Sequence, residues 1–169
     1  MRGDDAAMTW KTALDDHPQI LVVCTGNICR SPMGEVVLRD RLERAGIDLP
    51  VVSAGVSAEE HGNPIYPLAA DVLRAHGYDV PARQAHQVTD AELRDSGLIL
   101  AMTRQHLRAL ERRADALGVD RSRLHLWRDF DASSDAPDVP DPWYGGPADF
   151  EDTLATVESG ADALVAALQ

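Results

Sequence analysis

Lysine is almost missing from this chain: Lys11 is the only one in 169 residues, and arginine supplies the rest of the fixed positive charge. Positive charge is itself in deficit. Twenty-eight acidic residues face 16 lysines and arginines, for a formal net charge of −12, which argues against nucleic acid or an anionic membrane as a partner. Long apolar runs are missing as well. No stretch approaches the roughly 20 residues that span a bilayer, and the acidic opening M-R-G-D-D-A-A-M has no signal-peptide core. Cysteine is limited to Cys24 and Cys29. Two thiols this close make no structural disulfide framework and fit a reducing cytoplasm. The histidines show no H-E-x-x-H or related spacing, so no metal and no other cofactor is expected. There is no internal repeat and no low-complexity tract.

What is present describes an ordinary globule. A hydrophobic share of 44% and a charged share of 26% suit one domain with an adequate core. Apolar runs at Ile20–Val23, Val51–Gly55, Leu98–Met102 and Leu124–Trp127 read as strands. Between them lie helical patterns. The first runs from Met33 to Ala45, with Gly46 as its stop, and the next from Leu68 to His76, closed by Gly77. A short helix is expected near Thr89–Arg94. Arg104–Leu117 follows, with Leu107, Leu110, Ala114 and Leu117 inward and Gly118 after it. A long acidic loop, Arg128 to Gly146, leads to a last helix striped by Phe150, Leu154, Val157, Ala161, Leu164 and Leu168. Alternating strands and helices predict an α/β fold: a single-domain three-layer sandwich with a four-stranded parallel sheet and helices on both faces. Residues 1–19 precede the first strand and read as a flexible or loosely packed extension, with Trp10 and Leu14 on one face of a short helix. The domain proper is residues 20–169.

The most informative stretch is Ile20 to Glu35, I-L-V-V-C-T-G-N-I-C-R-S-P-M-G-E. A buried strand ends at Cys24, a short loop follows, and Arg30 and Ser31 precede a proline suited to the first turn of a helix. Such a loop can turn its N–H groups inward as an anion nest, backed by the positive end of the helix. Gly26 is expected to supply backbone angles other residues resist. Arg30 offers paired donors that match two phosphate oxygens. The same field favours Cys24 as thiolate, below its usual value of about 8.5, and the Ser31 hydroxyl is placed to donate to the sulfur or to cap the helix.

C-T-G-N-I-C-R-S-P resembles the phosphate loop of the low-molecular-weight protein-tyrosine phosphatases, C-x5-R-S after the first strand. Downstream, Asp141-Pro142-Trp143-Tyr144-Gly145 resembles their general-acid loop, and the resemblance runs from about Ile20 to the end. It implies a cysteine-dependent phosphatase acting on phosphotyrosine in proteins through a cysteinyl-phosphate, with Cys24 as nucleophile, Arg30 as phosphate ligand and Asp141 as general acid. Thr25, Gly26, Asn27, Ile28, Cys29, Ser31, Trp143 and Tyr144 are the expected substrate-binding residues, and Ser53 is implied to brace Asn27. Asn27 shapes the loop more than it touches substrate. Cys29 is either a buried thiol or a reversible disulfide partner for Cys24. The implied partner is a phosphorylated protein, bound by a cytoplasmic monomer or weak homodimer.

The chain departs from the family pattern in places. Ser57-Ala58-Glu59-Glu60-His61 stands where an aromatic usually flanks the substrate ring. Tyr66-Pro67-Leu68 replaces an Asp-Pro-Arg, and Arg83-Gln84-Ala85-His86-Gln87 replaces a His-x-Ala-Arg-Gln. An aspartate usual near the third strand is missing around Gly97. These departures keep a rival open, a phosphoarginine phosphatase of the same family. The bulk of Ile28, where such relatives carry threonine, favours an aryl phosphate, while Glu59 and Glu60 suit the rival. The arsenate-reductase use of this fold needs further cysteines that the chain lacks. A non-catalytic phosphoprotein-binding module is disfavoured by the intact Cys24, Arg30 and Asp141.

Overall fold

The computed structural model of the protein describes residues 10–131 and 136–169. Its centre is β1 (Ile20–Cys24), buried along its whole length. A strand with no polar face must be covered on both sides, and parallel sheets provide that. β1 pairs in parallel with β2 (Val51–Gly55) on one edge and β3 (Leu98–Ala101) on the other; β4 (Leu124–Leu126) completes the order β2-β1-β3-β4.

Side chains alternate along β1 and so feed two cores. Ile20 and Val22 join Leu98 and Leu100 on one face, packed against Met33 and Val37 of α2 (Arg30–Arg44), Leu73 of α3 (Pro67–Ala75) and Phe150, Leu154 and Val157 of α6 (Pro147–Leu168). Leu21, Val23 and Ile99 face the other way, toward Leu93 of α4 (Asp90–Asp95) and Leu110 and Ala114 of α5 (Arg104–Leu117). The three-layer α/β sandwich is therefore as expected.

Thr89 caps α4 in a capping box with Glu92, and Gly118 closes α5 at φ 73°. Two details differ from the periodicity reading. Along α5 the inward stripe includes His106, while Leu107 and Leu117 are only partly buried. Trp127 does not extend β4 but opens a 3-10 turn, Trp127–Phe130, in which it is fully buried.

The second half of the N-terminal extension packs against the body. Residues 10–16 form a helix, α1, whose Trp10 and Leu14 are 3% and 5% exposed. Trp10 meets Phe130 edge-to-face at 5.4 Å and His125 at 6.4 Å. Residues 1–9 lie outside the described residues. α1 also accounts for Gly97: a Cβ there would fall 2.5 Å from the Ala13 carbonyl oxygen and 2.6 Å from that of His17. The Gly97 N–H donates to the His17 and Gln19 carbonyls at 3.0 and 3.1 Å.

This topology positions a site. The chain leaves β1 toward β2, then returns across it to β3, so the connections diverge at the carboxyl ends of β1 and β3, where open α/β sheets bind ligands. Cys24 ends β1, and Val139 of the acidic loop is tied there by its N–H to the Met102 carbonyl at 2.8 Å.

Candidate active site

Between Cys24 and the start of α2 at Arg30 the backbone must reverse. Asn27 makes the reversal at φ 63°, the left-handed region that Asn tolerates better than most residues. Gly26 does not adopt a positive φ, contrary to expectation. It is needed for room, since a Cβ there would lie 2.9 Å from Glu60 Cγ. Ser31 is inside α2 and not its cap. The N-cap position belongs to Cys29, which makes no side-chain capping bond. The first-turn N–H groups are thus left without a side-chain cap, as at anion-binding helix starts.

Asn27 and Ser31 are fully buried behind the loop. The Asn27 amide nitrogen donates to Ser31 Oγ at 2.8 Å and to Ser53 Oγ at 3.0 Å, so the implied brace from Ser53 is present. Ser53 Oγ in turn donates to Glu35 Oε1 at 2.7 Å, and Glu35 pairs with Arg39 at 3.3 Å. Ser31 Oγ lies 3.0 Å from Cys24 Sγ and 3.4 Å from the Ala54 carbonyl oxygen.

Arg30 is buried and bridges to the acidic loop. Its Nη1 donates to the Val139 carbonyl at 3.1 Å, and its Nη2 lies 3.5 Å from Asp141 Oδ2. Asp141 is half exposed, and its other oxygen accepts from the Trp143 N–H at 3.1 Å. Trp143 leans on Tyr66 at 4.7 Å between centroids, and Tyr66 stacks on Phe150 at 5.8 Å. Tyr66, a departure from the family pattern, therefore backs the acid loop.

Two buried groups titrate away from their ordinary values. Burial, then the charge of Cys24, pushes the Cys29 thiol up to about 12, so it stays protonated at neutral pH. Burial, then the Arg30 charge, pushes His106 down to about 4, so it stays neutral. His106 Nε2 pairs with Thr25 Oγ1 at 2.7 Å, while Nδ1 finds no partner among the described residues.

These parts enclose one cavity of about 360 Å³, lined by Cys24, Thr25, Gly26, Ile28, Cys29, Arg30, Glu59, Glu60, Asp141, Trp143 and Tyr144. The thiol and guanidinium of one short loop share it with a carboxyl from far along the chain, and both cysteines are free. Residues 19–169 match the family described as low molecular weight phosphotyrosine protein phosphatase. The chain belongs to that family.

A curated relative, low molecular weight protein-tyrosine phosphatase A of Mycobacterium tuberculosis, is 39% identical over 89% of this chain and 91% of its own. The crystal structure of YfkJ from Bacillus subtilis superposes with a TM-score of 0.82 at 33% identity, covering 89% of this chain and 94% of that one. The arginine phosphatase YwlE, from the same organism, gives 0.79 at 30%, covering 89% and 95%.

In this low molecular weight phosphatase every expected site residue lines the cavity except Asn27 and Ser31, which lie beneath it as scaffold. Tyr144 projects into solvent at 94% exposure. Sequence reading assigned no role to His106 or Arg83, which reach the loop from 81 and 56 residues away. Only the departure at Arg83 hinted at one of them. No three His, Cys, Asp or Glu side chains among the described residues converge to hold a metal ion. No described helix is long and apolar enough to cross a membrane.

Proposed function

We propose that this protein hydrolyses phosphotyrosine in proteins, with Cys24 as nucleophile, Arg30 as phosphate ligand and Asp141 as general acid. The observation that carries the reading is the Cys24 sulfur held 3.0 Å from Ser31 Oγ on a cavity that Arg30 and Asp141 also line. The thiolate attacks phosphorus and an S–P bond forms. The P–O bond to the tyrosyl oxygen breaks, and Asp141 gives that oxygen its proton. Water then attacks phosphorus and passes a proton to the Asp141 carboxylate; the S–P bond breaks and the thiolate returns. Arg30 and the loop N–H groups hold the equatorial oxygens through both steps, where charge is spread in a loose transition state.

Thr25, Gly26, Ile28 and Cys29 would shape the floor and Trp143 and Tyr144 the wall against which an aryl group stacks. We place the enzyme in the cytoplasm, as a monomer or weak homodimer that binds neither nucleic acid nor membrane. Its net charge of −12 and its two free thiols support that reading. A second reading, phosphoarginine as substrate, draws on Glu59 and Glu60 at the rim, where carboxylates could accept from a guanidino group. The bulk of Ile28 on the floor favours the flat aryl phosphate.

The test is a side-by-side assay of phosphotyrosine, phosphoarginine and phosphoserine peptides. Phosphotyrosine should turn over fastest, and Cys24→Ser should abolish turnover while still binding phosphate. Turnover of Cys24→Ser within tenfold of wild type removes the nucleophile assignment. A faster rate on phosphoarginine transfers the enzyme to the second reading.

A further inference from the structure

We propose that Arg83 is a positioning residue: by clamping Asn27 it fixes the direction of a hydrogen-bond chain that ends in a proton aimed at the Cys24 sulfur. The inference rests on the reading of Cys24 as nucleophile and concerns what holds its thiolate. Arg83 donates through Nη1 to the Asn27 backbone carbonyl at 3.2 Å and through Nη2 to Asn27 Oδ1. The His86 N–H donates to the same Oδ1 at 3.2 Å. With its oxygen engaged by two donors, the amide must present its two protons the other way, to Ser31 Oγ and Ser53 Oγ. Both hydroxyls are then acceptors and must donate elsewhere. Ser53 has Glu35. For Ser31 the sulfur at 3.0 Å is the nearer acceptor, against 3.4 Å to the Ala54 carbonyl.

The alternative arrangement shows why a cation belongs here. If the Asn27 amide flipped, Oδ1 would face the two serines, their protons would turn back toward it, and the sulfur would lose its donor. The flipped NH2 would then confront the Arg83 guanidinium and the His86 N–H, donor against donor. A charge-assisted bond to Oδ1 raises the cost of the flip well above what the His86 N–H imposes alone. The same contact on the Asn27 carbonyl holds the left-handed turn of the loop.

Several charged and titratable groups surround the sulfur. In the cavity are Arg30, Asp141, Glu59, Glu60 and the protonated Cys29. Behind the loop are Arg83, Glu35 and Arg39, and His106, reached through Thr25, is neutral. Arg30 thus stands on the cavity side of the sulfur, and Arg83 stands behind the loop, where it grips Asn27.

The experiment follows the pH dependence of Cys24 alkylation by iodoacetamide, read by mass spectrometry, in wild type, Arg83→Met, Arg83→Gln and Arg83→Lys. Wild type supplies the reference midpoint. Arg83→Met should raise the midpoint by about one pH unit, Arg83→Gln by a similar amount, and Arg83→Lys by less. The acid limb of kcat/KM should move with it. In a Ser31→Ala background the Arg83→Met shift should shrink to less than half, because the chain through Ser31 is already cut. A midpoint unmoved in Arg83→Met and Arg83→Gln, even with a lower Tm, overturns the proposal, as does an undiminished shift in Ser31→Ala. Turnover of Cys24→Ser within tenfold of wild type instead removes the nucleophile reading itself, so the two failures are distinguishable.

Discussion

Asp141 Oδ2 stands 3.5 Å from Arg30 Nη2, so the group read as general acid touches the group read as phosphate ligand. The two come from opposite ends of the chain, and their meeting assembles the site. Asp141 is half exposed, so the ion pair is weak, about 0–1 kcal/mol. On the proposed reading, an entering phosphate should compete with Asp141 for the guanidinium and free the carboxyl to face the leaving oxygen.

Asp141→Asn should therefore split catalysis from binding. Turnover of phenyl phosphate should fall by about 10²–10³, within the range typical of general-acid loss. An aryl phosphate with a very good leaving group should lose far less. Inorganic phosphate should inhibit the variant as well as wild type or up to about fivefold better, because the competing carboxylate is gone. Steady-state kinetics on the two substrates with phosphate as inhibitor reads both effects. Equal losses on both substrates would remove the acid role.

His106 gives a pH-dependent stability. Its folded value, about 4, lies below the ordinary 6.5, so between those values the unfolded chain takes up a proton that the folded chain refuses. This contribution is fully present above pH 6.5 and is lost as pH falls toward 4, at up to about 1.4 kcal/mol per unit and about 3 kcal/mol in all. His106→Gln, which can keep the bond to Thr25, should flatten that part of the profile. Urea unfolding at pH 7 and pH 4.5 checks it. An identical loss of stability in variant and wild type would show that His106 already protonates in the fold.

The N-terminal helix should carry real stability. Trp10 is buried between Phe130 and His125, and Trp10→Ala should cost about 3–5 kcal/mol. Gly97→Ala should act through the same contact, since its Cβ has no room against Ala13 and His17. Denaturant midpoints measure both. A change below about 0.5 kcal/mol in both variants would mean that α1 is not docked in solution.

The strands, the layers and the identity of the chemical groups were legible in the order of residues. Those follow from local rules: an unbroken apolar run such as Ile20–Val23 must be buried on both faces, and a cysteine, an arginine and a serine at fixed spacing after it carry their chemistry with them. Which residues serve as scaffold and which face the cavity depended on how the chain packs. Ser31 fell inside the helix and Asn27, not Gly26, took the left-handed turn. Glu60 closed over Gly26, α1 filled the space at Gly97, and Arg83 and His106 arrived beneath the loop from distant segments. The reason is that periodicity reports which side of an element is buried but not what it is buried against. The direction of a proton along Asn27, Ser31 and Cys24 depends on partners that only a folded chain brings within 3 Å or so of one another.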